Sequence, residues 1–129
     1  MAATAHALQL IHTAAQAASD KLAGDIAAFD VSERLALTDA FLLCSGTNDR
    51  QVRAIVEEIE LRLRQVDAKP VRREGEREGR WVLLDYVDVV VHVQHQDEHA
   101  FYALERLWRD CPLIALPASV TSGPGRAAQ

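Results

Sequence analysis

The first apolar pattern along the chain is that of an amphipathic helix. Between Thr4 and Leu22, apolar residues recur at every third or fourth position, which gives a helix one buried stripe. Thr4 is suited to cap the start, and Gly24 marks the end. The same spacing holds for four turns from Val52 to Val66. The first half of the chain therefore contains two predicted helices.

Short β-rich runs separate and follow these helices. Residues 26–29 and 40–44 are compact apolar runs, and the second reads as a strand buried on both faces. Residues 69–80 mix charged residues with two glycines, which predicts a solvated, hairpin-like connection. Residues 81–85 and 87–93 then predict two strands joined by a tight turn, the second of them central in the sheet.

The end of the chain predicts one more helix and a tail. An acidic start at Asp97 and an end near Pro112 enclose one apolar face. That face contains Phe101, Leu104, Leu107 and Trp108. We expect one domain over residues 1–114 and a disordered tail over residues 115–129. The element order predicts a single-domain α/β fold, in which helices pack on a mixed sheet.

Composition and charge narrow the function classes. The chain has 129 residues, 49% of them hydrophobic and 26% charged, as in an ordinary globular domain. No stretch approaches a membrane span, and two isolated cysteines fit reduced cytosolic thiols, so we expect a cytoplasmic protein. A formal charge of −5 opposes strong direct binding to nucleic acid and favours a basic protein partner.

The loop Cys44-Ser45-Gly46-Thr47 is the first candidate for chemistry. A strand-to-helix loop can bind an anion or present a nucleophile. It lacks both the G-x-S-x-G pattern and the lysine of a phosphate-binding loop. We favour a core cysteine, a tight turn at Ser45-Gly46 and a helix cap at Thr47 or Asn48.

Three histidines and two aspartates are the other candidates. His92, His95 and His99 could hold zinc if their rings converged, but the odd offset between the first two sends them to opposite faces of a strand. Asp85 and Asp88 could bind a divalent metal as a pair, but they too are an odd number of residues apart. Turn formation explains these carboxylates better, so we predict no metal site.

Aromatic residues beside the charged connection suggest a protein interface. Trp81 begins a strand close to solvent, and Tyr86 lies at the turn that follows. Large amphipathic rings in such places often anchor interfaces, although either ring could instead belong to the core. Trp108, on the apolar face of the last helix, is predicted to be core.

Taken together, residues 39–52, 81–93 and 101–108 resemble the ribosomal silencing factor (Iojap-related) family. The resemblance extends over about residues 5 to 110. It implies a nucleotidyltransferase-like fold that lacks the catalytic carboxylates, and therefore no enzyme activity, no metal and no cofactor. It also implies that the chain binds the large ribosomal subunit through ribosomal protein L-fourteen at the intersubunit face. There it would block subunit association sterically and repress translation when nutrients are scarce.

The resemblance also assigns contact residues. It implies that the ribosomal-protein contact is made by Trp81, Asp85, Tyr86, Asp88 and Glu105. Val87 departs from the pattern, because many relatives carry glycine there, and this leaves the shape of the turn open.

Two alternatives stay open at this point. One is a nucleotidyltransferase-like enzyme that uses Asp85 and Asp88 with the Ser45-Gly46 turn. The other is a homodimerisation module in which Trp81 and Tyr86 meet a second copy of the chain, and a homodimer is also conceivable when the factor is free of the ribosome.

Overall fold

A computed structural model of the protein describes residues 2–97, 106 and 110–120. Two helices and five strands follow one another along this part of the chain. In chain order they are α1 (Ala5–Asp20), β1 (Gly24–Asp30), β2 (Ala40–Gly46), α2 (Asp49–Gln65), β3 (Arg72–Glu74), β4 (Trp81–Asp85) and β5 (Val89–His95). The helix predicted between Asp97 and Pro112 lies mostly outside the described residues.

The five strands form one mixed sheet in the order β1-β2-β5-β4-β3. β2 and β5 are parallel, and the other neighbouring strands are antiparallel. The connection from β2 to β5 contains α2, as a parallel pair requires. The prediction that β5 is central is confirmed, and so is the mixed α/β class. The nucleotidyltransferase-like label stays a prediction.

Both helices cover the same face of the sheet. In β5, Val89, Val91 and Val93 point to this face because they alternate along the strand, and all three are fully buried. They share one apolar cluster with the inner stripes of α1 and α2. The core of the domain therefore lies between the sheet and the two helices, and we call this side the helix face.

The opposite face holds a smaller apolar cluster, and we call it the second face. Its buried members are Phe29, Val31, Phe41, Leu43 and Cys111. Leu113 adds a β-bridge to Phe29, so the segment after residue 110 extends the sheet at its β1 edge. Residues of β1 and β2 and the segment after residue 110 thus contribute together to this face.

Helix ends are fixed largely by side-chain caps and by left-handed residues. The side chains of Thr4 and Asn48 each accept a backbone hydrogen bond in the first turn, as their positions predicted. The end of α1 differs from the prediction at Gly24, because Leu22 already has φ +64° there. The amide of Ala23 donates to Ala18 O, which closes the helix two residues earlier than expected.

The polar connection over residues 69–80 is hairpin-like, as predicted, and it also contains the short exposed strand β3. Gly75 has φ +81°, and a Cβ added there would lie 1.9 Å from the carbonyl oxygen of Trp81. Only glycine allows the connection to approach the start of β4 so closely.

The segment from residue 114 to 120 lies against α1. Ser119 Oγ donates to Gln16 Oε1 at 2.6 Å, and Ile114, Leu116 and Val120 pack on the main core. This packing differs from the disordered tail that was expected from residue 115. Residues 121–129 lie outside the described part. The division of the chain at residue 114 stays a prediction. No helix in the described part is long and apolar enough to cross a membrane.

Candidate protein-binding site

The predicted contact residues lie along β4 and the turn that follows it. Side chains alternate on this strand, so Val82 and Leu84 are buried on the helix face. Trp81, Leu83 and Asp85 therefore point to the second face. We call the surface formed by Trp81, Leu83, Asp85, Val87 and Asp88 the β4 strip.

Trp81 begins the strip and is its largest exposed side chain. It is 37% exposed. β3 pairs with residues 83–85 of β4 and stops short of Trp81, so the strand has no β3 partner at this residue. The indole thus stands where the regular β3–β4 pairing has ended and Gly75 approaches the strand backbone.

One hydrogen bond connects the Trp81 indole to a buried residue of the second face. Its Nε1 donates to Nδ1 of His92 at 3.1 Å, and the two ring centroids are 6.1 Å apart. His92 is only 5% exposed, and its ring also makes an edge contact with Phe41. An exposed aromatic side chain is therefore linked to a buried imidazole.

Buried polar atoms surround this pair. Gln94, which lies directly opposite Trp81 in the β4–β5 register, is fully buried. Within the described residues, neither atom of its amide group nor Nε2 of His92 has a hydrogen-bond partner. A buried polar group without a partner costs free energy, so these atoms lower the stability gained by burial in this part of the second face.

The turn at the other end of the strip is strained. The amide of Asp88 donates to Tyr86 O at 2.9 Å, which closes a three-residue turn around Val87. Val87 has φ +71°, and together with that bond pattern this indicates the rare γ-turn of positive φ. A β-branched residue in this region is an outlier. The question left open by the sequence is thus answered: the turn keeps a shape suited to glycine although valine occupies it.

Asp85 and Asp88 have different roles in this turn. Asp85 Oδ1 accepts the amide of Val87 at 2.8 Å, and Oδ2 lies 3.5 Å from Nη2 of Arg72. Asp88 uses its backbone carbonyl to accept the amides of Asp39 and Ala40. Asp85 therefore stabilises the turn, whereas the carboxylate of Asp88 has no partner among the described residues.

Tyr86 points into the protein. It is 7% exposed and belongs to the helix-face cluster. Burial, followed by the charge of Glu60, raises the pKa of its hydroxyl to about 12. Its ring supports the turn from beneath and contributes little surface. Glu105, the remaining predicted contact, lies outside the described residues.

The loop from Cys44 to Asn48 is occupied by its own contacts. The Cys44 thiol is fully buried, and burial, with a smaller effect of Asp25, raises its pKa to about 12. A thiol that stays protonated and enclosed is not a nucleophile at neutral pH. The amide and hydroxyl of Thr47 both donate to Gln51 Oε1, at 2.6 and 2.9 Å. Thr47 therefore donates and does not cap the helix; of the two residues predicted from the sequence, Asn48 is the cap.

An open depression of about 590 Å³ lies at the start of α2, beyond the ends of β2 and β5. It is lined by Asn48, Asp49, Arg50, Arg80 and His95. Asn48 Oδ1 already accepts the amide of Gln51 at 2.9 Å, and Asp49 places a carboxylate in the first turn. Both features compete with a phosphate at this helix end.

The histidines separate as the strand offset predicted. His92 lies on the second face, whereas His95 lines the depression at α2 and its Nδ1 accepts the amide of Asp97 at 3.1 Å. His99 lies outside the described part. Among residues 2–97, 106 and 110–120, no group of three His, Cys, Asp or Glu side chains could hold a metal ion.

Comparison with known proteins identifies the family. The family model described as "Ribosomal silencing factor during starvation" matches residues 4–129. The chain belongs to the ribosomal silencing factor family. This membership makes it a regulator of translation that associates with the ribosome, and it confirms the resemblance seen in the sequence.

Individual relatives agree with the family model. The chain is 45% identical over 107 residues to the ribosomal silencing factor of Bacillus subtilis, covering 83% of this chain and 91% of the relative. For the ribosomal silencing factor of Halalkalibacterium halodurans, identity is 38% over 113 residues, with 88% and 97% covered. A crystal structure of a protein from Bacillus halodurans is 39% identical and superposes with a TM-score of 0.75, covering 88% of this chain and all of that one.

Sequence reasoning missed two features of the site. His92 was considered only as a metal ligand, yet it binds Trp81. The signal was present in the pattern of the two strands, because a three-residue turn brings Trp81 opposite Gln94 and diagonal to His92. The sequence also contained a signal for the positive φ of Val87, because this valine stands where the family pattern has glycine.

Proposed function

We propose that this chain binds the large ribosomal subunit through ribosomal protein L-fourteen at the intersubunit face. In that position it blocks association with the small subunit sterically and represses translation in the cytoplasm when nutrients are scarce. The observation that carries the proposal is Trp81, an indole 37% exposed at the start of β4 in a member of a ribosome-associated family. Exposed tryptophans of this kind are frequent hot spots of protein interfaces.

The length of the β4 strip favours a macromolecular partner. Trp81 and Asp85 are four residues apart on one strand, which corresponds to about 13 Å. Val87, 43% exposed, and Asp88 extend the surface further at the turn. A protein surface would cover both ends of the strip at once, with Trp81 as the main apolar contact and the turn at the rim.

Charge favours a basic partner. The chain has a formal charge of −5, and the carboxylate of Asp88 has no partner among the described residues. Electrostatic complementarity of this kind accelerates association and discriminates against acidic partners. A basic surface on ribosomal protein L-fourteen would complement this charge, and the affinity should then fall as salt concentration rises.

The test is a binding and subunit-joining experiment. Purified large subunits are incubated with the protein, small subunits are added, and joined ribosomes are separated on sucrose gradients. We expect the wild type to lower the yield of joined ribosomes and Trp81→Ala to restore it. The substitution should weaken binding by about 2 kcal/mol or more, which is about 30-fold in Kd.

Leu61→Ala is the matched control, because Leu61 is a similarly exposed apolar residue on α2, away from the strip. It should bind and block as the wild type does. If the wild type neither binds large subunits nor lowers joining, the proposed function is wrong. If Trp81→Ala abolishes self-association in sedimentation experiments but leaves subunit binding unchanged, the strip is a homodimer contact instead.

A further inference from the structure

We propose that His92 is a positioning residue that holds the Trp81 indole in the orientation its ribosomal partner binds. This inference rests on the proposed function, since it concerns the same contact surface. His92 itself is buried beneath the strip and is not expected to touch the partner. Its role would be exerted entirely through Trp81.

The direction of the hydrogen bond fixes the chemical form of His92. An indole N–H can only donate, so Nδ1 of His92, 3.1 Å away, must accept and therefore carries no proton. The neutral imidazole then has its proton on Nε2. A histidine with the opposite tautomer, or with a positive charge, would present a second donor to the indole and lose the bond.

The surroundings keep His92 in this form. Burial lowers its pKa to about 4, so the ring is neutral at physiological pH and Nδ1 remains an acceptor. Phe41 contacts the ring edge-on, with centroids 5.3 Å apart and planes at 65°. Leu43 and Leu83 lie directly across from His92 on the two neighbouring strands. The imidazole is thus fixed on both sides before any partner arrives.

Trp81 needs such a support because the sheet gives it little else. β3 does not pair with this residue, and the indole is partly in solvent. The amide of Gln94 lies directly opposite and has no partner in the described residues, yet the indole N–H bonds to the diagonal His92 instead. A side chain held in its bound orientation loses less entropy on association, which increases affinity without any new contact.

The first test needs no variant. Long-range proton–nitrogen NMR spectra of the wild-type protein distinguish a histidine protonated on Nε2 from one protonated on Nδ1. We expect the Nε2–H form for His92 at pH 7, together with slow hydrogen exchange of the Trp81 indole N–H. A His92 protonated on Nδ1, or an indole N–H that exchanges as fast as in a peptide, overturns the inference.

The second test compares two substitutions at the same position. His92→Asn keeps an oxygen acceptor close to the position of Nδ1, whereas His92→Phe fills a similar volume and has no acceptor. We expect His92→Phe to accelerate indole exchange and to weaken binding to large subunits about 5- to 10-fold, as the loss of one hydrogen bond implies. His92→Asn should restore slow exchange and most of the affinity.

The outcomes separate the inference from the function beneath it. If the wild type binds and Trp81→Ala weakens binding, but both His92 variants bind equally well or equally poorly, His92 has no positioning role. If the wild type does not bind large subunits, the proposed function is wrong. The exchange measurement still tests His92 in that case, because an unchanged rate of indole exchange in His92→Phe would show that His92 does not hold Trp81. If His92→Phe does not fold, the tautomer of the wild type still decides.

Discussion

The helix face and the second face of the sheet are built from the same strands, yet they bury different kinds of side chain. Every buried strand residue that faces α1 and α2 is apolar within the described part, as in the run Val89, Val91 and Val93. The second face buries His92 and Gln94 among its apolar residues and leaves Trp81 partly exposed.

This difference separates two tasks. An apolar face beneath two helices gains stability from burial and needs no directional contacts. A buried polar side chain gains less stability from burial than an apolar one but can hold a neighbour in one orientation, as His92 holds Trp81. We infer that the helix face stabilises the fold and that the second face prepares the binding surface. The following substitutions test this division.

The largest effect is expected from neighbouring leucines on β4. Leu84→Ala, at a fully buried position of the helix face, should lower the free energy of unfolding by about 3 kcal/mol through lost burial and a cavity. Leu83→Ala, at a half-buried position on the second face, should cost about 1 kcal/mol and weaken binding to large subunits. Urea unfolding and the subunit-binding assay measure the two effects. Equal destabilisation by both variants would contradict the division between the faces.

Acid should destabilise the protein through His92. Burial lowers the pKa of His92 from its ordinary value of 6.5 to about 4 in the folded state, so the unfolded chain binds a proton first as pH falls. Stability due to this group is complete above pH 6.5 and is lost as pH falls toward 4. The loss should be about 2 kcal/mol at pH 5.

Urea unfolding at pH 7, 6 and 5 measures this dependence, and His92→Asn is the comparison because it cannot titrate. Acidic residues with lowered pKa values, such as Asp30 with its hydrogen bonds from Ser32 and Ala3, contribute equally to both proteins and cancel in the difference. Parallel pH profiles for the two proteins would show that His92 is charged or exposed in the folded state.

Gln94→Leu should stabilise the protein. The amide is fully buried, and its two polar atoms have no partner among the described residues, so an apolar side chain of similar size removes a desolvation cost. The expected gain is about 1 kcal/mol in the free energy of unfolding. Val93→Ala, next to it on the helix face, should instead destabilise. A loss of stability in Gln94→Leu would mean that the amide is hydrogen-bonded, for example to water.

The smallest effect is expected at the strained turn. Val87→Gly relieves a positive φ that costs a β-branched residue about 1 to 2 kcal/mol, while the greater freedom of unfolded glycine offsets part of this gain. A net gain of about 0.5 to 1 kcal/mol in thermal or urea unfolding follows. Val71→Gly is the control, because Val71 is also exposed but does not have a positive φ. It should be neutral or slightly destabilising.

Most of the fold could be predicted because its signals are local. The spacing of apolar residues located α1 and α2, the apolar runs located β2, β4 and β5, and the caps at Thr4 and Asn48 followed from residue type. The end of α1 was misplaced because Leu22 adopts a left-handed conformation that the sequence assigned to Gly24. The amides of Leu22 and Ala23 donate to Ser19 O and Ala18 O, and this closing pattern requires the left-handed conformation at Leu22.

The candidate site was predictable only as a stretch of chain. The sequence pointed to residues 81–88, but it could not separate Trp81, which is exposed, from Tyr86, which is buried. The difference in exposure depends on the face of the sheet to which each side chain points. Strand pairing and the turn determine that direction. The contact predicted for Glu105 stays a prediction.

By itself, the sequence determined the element order and the mixed α/β class, because these follow from residue type and from short-range periodicity, and its motif segments carried the resemblance to the family. The tertiary structure alone decided that His92 lies beneath Trp81, that Gln94 is buried opposite it and that Val87 has φ +71°. Each of these depends on the register of β4 against β5 and on the turn between them. Register brings together residues that no local pattern connects.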